Sequence, residues 1–368
     1  MSSKYFFVGD FCLSGWNNNV SDSFSSTCLQ WHKLIHQSDL TVANLESCLI
    51  ENGKKCDRFM AVPQSDSGAI NKSGIDVFSL ANNHTLDCGS ESLYFAQTYL
   101  HKAGIETVGA GKNIKEANAP LIINRSGRRI GIISTTDATH YKASKHRAGI
   151  SPLSARRMKK SIAEIRDQVD LIVLCIHSDL EFTNYPSPWK VRLSRKLARA
   201  GADIIVHHHP HTLQGVEIFE DTLIAYSLGN FVFPIHATEY MQNRNGNVNE
   251  SAILEVNVEF TANDSRNISY NLIPTLIDEN NITRFADGKT AENIIRKITG
   301  YSHALDDKEK LRKKYLKLCL EQARRFIWGT YYTLCRSGLS GTYKYLRTHF
   351  STKMHRNWMR GLLTLGQF

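Results

Sequence analysis

Side chains able to bind metal recur where predicted β-strands end. These residues follow apolar, β-branched or aromatic runs and are Asp10, Glu46, Asn83, His84, His177, His209 and His211. Carboxylate, amide and imidazole groups are ligands for hard-to-borderline divalent cations. Because the carboxyl ends of parallel strands open onto a common rim, these side chains can converge. The pattern therefore predicts a divalent metal site.

Each motif alone has an ordinary structural alternative. A Gly-Asp pair such as the one ending in Asp10 commonly caps a helix or turn, and a single histidine such as His177 commonly fills a core position. His84 and Asp87 would precede a helix and fit an N-cap region. The segment 207–211 differs, because it places four histidines in five residues directly after an apolar run. Together, the ordered groups favour the metal interpretation.

The elements that must position these residues alternate along the chain up to about residue 280, which is typical of an α/β fold. Predicted strands cover Tyr5–Gly9, Leu40–Asn44, Asp76–Leu80, Ile130–Ser134, Leu171–Ile176 and Ile204–His207. Predicted helices cover 91–103, 155–167 and 189–200. After residue 212, consecutive strands predict a β-rich half that closes onto the first sheet. Gly109-Ala110-Gly111 is interpreted as a tight turn, because no Lys-Ser/Thr follows it as in a phosphate-binding loop.

Several motifs in fixed order resemble the CapA capsule-synthesis family. They are FVGD at 7–10, ANLE at 43–46, LANNHTLDCG at 80–89, GAG at 109–111, GAD at 201–203, HPH at 209–211 and YSLGNFVF at 226–233. The resemblance covers roughly residues 4–275. It implies an α/β fold, a layered αββα metallophosphoesterase-like sandwich with a helical, basic C-terminal extension. The implied domains are 1–285 and 286–368.

The resemblance also implies roles for individual residues. The implied metal ligands are Asp10, Glu46, Asn83, His177, His209 and His211. The implied catalytic residues are His84, as proton donor to the leaving group, and Asp87. Implied substrate-binding or outer-shell residues are Asn82, Glu181, Asn230, His207 and Cys12. The cofactor would be one or two divalent ions of Mn, Zn, Fe or Mg.

This sequence departs from the expected motifs in three places. A standard metallophosphoesterase has Asp-x-His where this chain has Asp10-Phe11-Cys12, so one ion is expected to bind weakly. The usual His-Trp-Gly-x-Glu-Tyr appears as HSDLEF at 177–182. His207 replaces a usual glycine, and both an extra ligand and a steric intrusion remain open for it.

Two functions follow from this interpretation. The first is a metal-dependent hydrolase of a phosphoester or amide bond, linked to bacterial capsule or polyglutamate-type anionic-polymer biosynthesis. The alternative is a non-catalytic accessory or binding component of anionic-polymer synthesis or export that uses the same fold. The expected ligand is accordingly a small molecule or an anionic polymer.

The C-terminal region is strongly basic. Residues 289–368 carry 12 more Lys and Arg than Asp and Glu, whereas the whole chain has a net charge of +10. Basic residues interleaved with aromatic residues suit a peripheral membrane or anionic-polymer surface, but the favoured interpretation is a helical lid whose aromatic residues pack onto the main domain. We expect 306–335 to pack as helix and 340–368 to carry the affinity for anions. No nucleic-acid-binding motif is present, so nucleic acid is not an expected partner.

The eight cysteines show no CxxC pair, and no secretory or membrane-spanning apolar run is found. We therefore expect reduced thiols and a cytoplasmic, membrane-peripheral location.

Overall fold

A computed structural model describes residues 2–14, 31–237, 239–242, 247–260, 266–351, 358–359 and 362. The basic residues Lys353, Arg356 and Arg360, which were expected to contribute to anion binding, lie outside the described residues.

The strands of the described chain are distributed mainly between two sheets. They are β1 Ser2–Phe11, β2 Leu40–Leu45, β3 Cys48–Ile50, β4 Ala61–Pro63, β5 Val77–Ser79, β6 Glu106–Val108, β7 Ala110–Gly111, β8 Leu121–Arg125, β9 Arg128–Thr136, β10 Gly149–Ile150, β11 Leu171–His177, β12 Ile204–His208, β13 Val216–Phe219, β14 Thr222–Ala225, β15 Asn230–Val232, β16 Glu250–Phe260, β17 Arg266–Ile277 and β18 Thr283–Phe285. The larger sheet has the order β18-β17-β16-β1-β2-β5-β6, and β15 pairs with the end of β1. The second sheet has the order β13-β14-β12-β11-β9-β8. Two short ribbons, β3-β4 and β7-β10, complete the strand pairings.

The helices flank these sheets. They are α1 Gly68–Asn71, α2 Ser90–Lys102, α3 Ile114–Ala117, α4 Ala155–Ile165, α5 Pro188–Ala198, α6 Glu239–Gln242, α7 Gly288–Ser302 and α8 Lys308–Ser351. Residues 31–35 are also helical, and 3-10 turns cover Gln64–Asp66 and Arg166–Gln168. The side chain of Ser154 caps α4 and that of Ser187 caps α5, which fixes where each helix begins.

Alternation of side chains along the strands produces the layers. In β1, Tyr5 and Phe7 join the core between the two sheets, whereas Phe6 and Val8 face the outer core that includes α2. In the second sheet, Val173 belongs to the core between the sheets. Ile172 packs outward in a core that also contains residues of α4 and α5. This helix–sheet–sheet–helix arrangement confirms the layered αββα sandwich.

The six strands and three helices predicted for the first half are all present, with ends shifted by at most a few residues. The prediction of a β-rich second half closing onto the first sheet is correct for β16 to β18 and wrong for β13 and β14. β13 and β14 extend the second sheet, whereas β16 to β18 extend the larger sheet as an antiparallel run beside β1. Sequence alternation marks strands but does not say which of two sheets accepts them.

Two glycines permit close approaches near the strand ends. A Cβ on Gly9 would lie 2.0 Å from the carbonyl oxygen of Gly229, so β1 and the loop before β15 meet only because position 9 has no side chain. Gly109 has φ 93°, faces Ser134 and Ala81 and bends the chain between β6 and β7. The tight turn predicted for 109–111 is therefore confined to Gly109, because Ala110–Gly111 form β7.

The C-terminal extension is helical, as predicted, but packs less than expected. Leu311, Tyr315 and Cys319 of α8 are buried, and non-helical backbone at Gly338 interrupts the helix. Trp328, which the packed interpretation would bury, is 69% exposed. The expectation that 306–335 packs throughout is therefore corrected. No helix within the described ranges is both long and apolar enough to cross a membrane.

One cysteine expectation is also corrected. Cys56 and Cys88 form a disulfide, although their spacing shows no recognised pairing motif. The cytoplasmic location remains a prediction.

Candidate metal centre

The predicted metal ligands lie together at the carboxyl ends of strands from both sheets. Asp10 is the penultimate residue of β1, and Glu46 directly follows β2. Asn83 follows β5, His177 ends β11, and the 209–211 turn follows β12. The inward positions of these strands are apolar in the middle of the sheets and become polar at this rim.

Glu46 is the central carboxylate of the cluster. Its side chain is 0% exposed, and Oε1 lies 3.7 Å from His177 Nε2, 3.6 Å from His211 Nε2 and 3.9 Å from His84 Nε2. Burial, followed by the charge of Asp10, raises the pKa of Glu46 well above its ordinary value. An anionic Glu46 at neutral pH is therefore costly without a cation beside it.

Asp10 is the second buried carboxylate. Asn44 Nδ2 donates to Asp10 Oδ1 at 2.8 Å, and the backbone N–H of His209 donates to Oδ2 at 3.3 Å. Burial works to raise the pKa of Asp10, but the hydrogen bond and charge of His208 and the charge of His211 outweigh it and lower the pKa to about 2. Asp10 thus stays anionic over the physiological pH range.

A chain of polar contacts leads from the cluster toward solvent. Asn83 Oδ1 lies 2.7 Å from His177 Nε2, and Asn83 Nδ2 lies 2.8 Å from His84 Nε2. His84 Nδ1 lies 2.8 Å from the carboxylate of Asp87. His84 is 28% exposed, whereas His177 is 2% exposed, so His84 is the imidazole accessible to a ligand from solvent. Burial, followed by the charge of His209, lowers the pKa of His177 well below its usual range and keeps it neutral.

Asn230 orients His211. Its Nδ2 donates to the carbonyl oxygens of His211 and Val248, which leaves Oδ1 as acceptor for His211 Nδ1 at 2.9 Å. With the proton on Nδ1, the Nε2 lone pair of His211 is free and is directed at Glu46. Such an outer partner is typical of a metal-binding histidine.

In the 209–211 turn, two non-glycine residues have positive φ angles. His209 has φ 98° and His211 has φ 56°, conformations that non-glycine residues adopt at a cost. The rings of His177 and His209 are 4.6 Å apart. The burial of His209 lowers its pKa, an effect partly offset by the charge of Glu181. Backbone strain at two neighbouring histidines is characteristic of functional sites.

The remaining predicted residues occupy different places around the cluster. Asn82 fastens the loop that follows β5, accepting from the backbone N–H groups of His84 and Thr85 and donating to the carbonyl of Leu45. The carboxylate of Glu181 accepts a hydrogen bond from Tyr240, at the side of His209 and His211. Glu181 therefore lies at the rim of the cluster.

His207 and His208 face opposite sides of β12. His207 lies outward, with Nε2 2.7 Å from the Ser194 hydroxyl and its ring stacked on Tyr226. Both alternatives left open for His207, an extra ligand and a steric intrusion, are therefore wrong, and so is the outer-shell role that the resemblance implied for it. His208 lies inward, with Nδ1 3.3 Å from Asp10 Oδ1.

Cys12 lies within an apolar group. It packs in a buried cluster with Met60, Phe182 and Phe233, and burial raises the pKa of its thiol to about 11. A neutral thiol is a poor metal ligand, because the thiolate is the binding form.

Sequence reasoning missed Asn44 and His208. Asn44 lies within the ANLE motif, and its Nδ2 is also 3.3 Å from His177 Nδ1. No sequence signal identified these two residues. Only the structure shows that Val42 and Val206 point between the sheets, and the residues two positions later therefore do as well.

The donor set fits a divalent cation. Oxygen and nitrogen atoms of Asp10, Glu46 and His177 lie within 4.8 Å of one another, as do those of Glu46, His209 and His211. Glu46 Oε1 and His209 Nδ1 are buried without a hydrogen-bond partner among the described residues. Buried polar atoms normally have partners, so a cation would complete these contacts.

These observations define a class: an αββα sandwich protein with a carboxylate–amide–imidazole cluster between its sheets. The family description "Bacterial capsule synthesis protein PGA_cap" matches residues 4–235, which is more than half of the chain. The chain belongs to this family.

Two relatives and one solved structure are similar to this chain. The capsule biosynthesis protein CapA of Bacillus anthracis is 30% identical over 240 residues, covering 61% of this chain and 58% of that protein. The PGA biosynthesis protein CapA of Bacillus subtilis is 28% identical over 236 residues, covering 62% of each. This chain therefore matches about three fifths of these relatives. A 5'-nucleotidase precursor structure from Thermus thermophilus aligns with TM-score 0.47 and 14% identity over 83% of this chain and 59% of that one.

Proposed function

We propose that this protein is a metal-dependent hydrolase of a phosphoester or amide bond that acts in the biosynthesis of a bacterial capsule or related anionic polymer. The observation that carries the proposal is Glu46 Oε1, a buried carboxylate oxygen with no hydrogen-bond partner among the described residues. Imidazole nitrogens from three separate segments of the chain lie around it. The biosynthetic context comes from family membership and from the names of the Bacillus relatives.

The cation would be held by the predicted ligands Asp10, Glu46, Asn83, His177, His209 and His211. A divalent cation supplies Lewis-acid chemistry when bound, which activates water and offsets negative charge on a reacting oxygen. The chain contributes preformed geometry: Asn230 fixes the His211 tautomer, and Asn44 holds Asp10. Preorganised groups of this kind need little rearrangement during the reaction.

His84 would donate a proton to the leaving group. Asp87 orients the ring through Nδ1, and its carboxylate would stabilise the doubly protonated ring. Nε2 accepts from Asn83 Nδ2 in this structure and would deliver the proton from the doubly protonated ring after Asn83 Nδ2 has moved away. His84 is partly exposed, so its side chain can contact a substrate that the buried histidines of the cluster cannot reach. The same Nε2 lies beside Glu46 Oε1, so the donor is adjacent to the proposed reaction centre.

The test combines metal analysis with a substrate screen. The purified chain and its Glu46→Gln variant are examined for bound metal, then assayed with phosphomonoesters, phosphodiesters and γ-glutamyl peptides after addition of Mn²⁺, Zn²⁺ or Mg²⁺. Glu91→Gln is the matched control, because Glu91 is an exposed residue of α2. We expect metal and hydrolysis in the wild type and in the control, and neither in Glu46→Gln. Stoichiometric metal without hydrolysis of any substrate would favour the accessory role, and absence of metal binding would overturn the metal centre.

We also propose that α8 recruits the protein to an anionic lipid surface. Ile327, Trp328 and Leu339 are 65%, 69% and 81% exposed, although residues of this kind normally pack inside. The exposed basic residues Arg324 and Arg325 precede this stretch. Charge alone would suit an anionic polymer, but exposed Trp and Leu beside Arg favour the interface of a bilayer.

Co-sedimentation with phosphatidylcholine vesicles, with and without phosphatidylglycerol, tests this surface. Binding should require the anionic lipid and weaken with salt, because exposed charges are screened beyond about 8 Å at physiological ionic strength. Trp328→Ser combined with Leu339→Ser should reduce binding about tenfold, as each removes apolar contact with the bilayer. Trp189→Ser on α5 is the control, since Trp189 is also exposed. Equal binding by the double variant, or stronger retention on polyglutamate than on vesicles, would refute the lipid assignment.

A further inference from the structure

Three cysteines from separate segments meet beside the loop that carries His84 and Asp87. Cys48 lies in β3, Cys56 in the loop that follows it, and Cys88 just before α2. Cys56 and Cys88 are joined by a disulfide, and the sulfur of Cys48 lies 2.9 Å from that of Cys88. All three sulfur atoms lie within 4.8 Å of one another. The third cysteine therefore faces a sulfur of an existing disulfide.

The surroundings hold Cys48 in this position. Its backbone N–H donates to the carbonyl of Met60, and its thiol contacts the same carbonyl at 3.6 Å. Cys48 is buried, whereas Cys56 and Cys88 are partly exposed. A thiol from solvent would thus reach the disulfide first, and Cys48 would reach it from inside the protein.

We propose that Cys48, Cys56 and Cys88 form a thiol–disulfide exchange site in which the disulfide moves between Cys56–Cys88 and Cys48–Cys88. In this step the Cys48 thiol gives its proton to the buffer and its sulfur bonds to Cys88 Sγ. The Cys56–Cys88 bond breaks, and Cys56 takes up a proton as a free thiol. One disulfide and one thiol are present before and after, so no external oxidant or reductant is needed.

The exchange changes which segment is covalently linked to the loop that carries His84 and Asp87. Cys88 directly follows Asp87, whose carboxylate contacts His84. In one state this loop is linked to the largely exposed 51–57 segment, and in the other it is linked to β3, two residues after Glu46. The site is defined by the cysteines alone, so it stands whether or not the proposed hydrolysis is found.

Peptide mapping of the full chain tests the proposal. The protein is equilibrated at pH 8 in a glutathione buffer, acid-quenched, alkylated under denaturing conditions and digested without reduction. Both Cys56–Cys88 and Cys48–Cys88 linked peptides should be found in the wild type. Cys56→Ser should convert the population to Cys48–Cys88, with at least about a tenfold fall in alkylated Cys48. Cys88→Ser should remove both linkages, and Cys335→Ser, an exposed cysteine of α8, should change nothing.

Two results would overturn the exchange site. One is a wild-type map with Cys56–Cys88 alone, which a Cys56→Ser variant that keeps Cys48 as a free thiol would corroborate. The other is a protein isolated with all three thiols reduced around one equivalent of Zn²⁺, which would assign the cluster to metal binding instead. The wild-type map does not depend on any variant folding, so the proposal remains testable if Cys56→Ser does not fold.

Discussion

The larger sheet contributes Asp10, Glu46 and Asn83 to the candidate metal centre, whereas the second sheet contributes His177 and the 209–211 turn. Carboxylates and an amide therefore come from one sheet and imidazoles from the other. The difference shows in the pKa values, since histidines of the second sheet lower that of Asp10 while Asp10 raises that of Glu46. Neither sheet alone carries the donor set, so the centre depends on the packing of the two sheets.

The strongest test of this comparison removes the central carboxylate of the larger sheet. Glu46→Gln should abolish bound metal and turnover, since loss of even an outer-shell partner costs about 10–100-fold in affinity. In the metal-free protein the same change should raise the melting temperature, because Gln is neutral without taking up a proton, whereas burial and the charge of Asp10 disfavour the ionised form of Glu46. Metal analysis and calorimetry in the presence of a chelator measure the two effects. A metal-free variant less stable than the wild type would show that Glu46 is a structural residue.

The next test separates proton donation from metal binding. His84→Gln should keep bound metal and reduce kcat by about 10²–10⁴-fold, the usual contribution of a general acid. Asp87→Asn should give a smaller loss and a shifted pH profile, because Asp87 acts only through the His84 ring. Kinetics with the substrate found by the screen, alongside metal analysis, provide the readout. Unchanged kcat in His84→Gln would remove the proposed donor.

A buried lysine, Lys190 of α5, lies on the outer side of the second sheet, and its ionisation provides a stability test. Burial lowers the pKa of Lys190 to about 8, although its Nζ donates to Gln214 and to the carbonyl of Tyr226. Between pH 8 and 10.5 the unfolded chain binds more protons than the folded one, so stability rises with pH in this window. Over this pH range the free energy of unfolding of the wild type should increase by about 3 kcal/mol relative to that of Lys190→Met.

Urea unfolding at several pH values measures this difference. Lys196→Met on the same helix is the control, because Lys196 is exposed and should follow the wild type. Parallel curves for Lys190→Met and the wild type would contradict a depressed pKa at Lys190.

The smallest expected effects compare neighbouring histidines of β12. His208→Gln should weaken metal affinity about 10–100-fold, since His208 contacts Asp10 from the opposite sheet. His207→Gln should leave metal affinity unchanged and lower stability by about 1 kcal/mol, through loss of its contact with Ser194. Metal titration and thermal unfolding of both variants distinguish the faces. Equal effects on metal binding would refute the assignment of faces.

Much of the fold and the outline of the centre could be predicted from sequence. Apolar runs located the strands, and polar residues directly after them, such as Asp10 and His177, identified the rim, because local composition reports burial and strand ends. The order of the motifs indicated the family.

Tertiary structure decided the rest. Whether His207 or His208 enters the centre depends on strand parity relative to a partner sheet, which no local pattern contains. Asn44 gains its role only when β2 and β11 approach across the sandwich. The Cys48, Cys56 and Cys88 cluster likewise unites segments 8 and 32 residues apart, so its contacts exist only once the chain has folded.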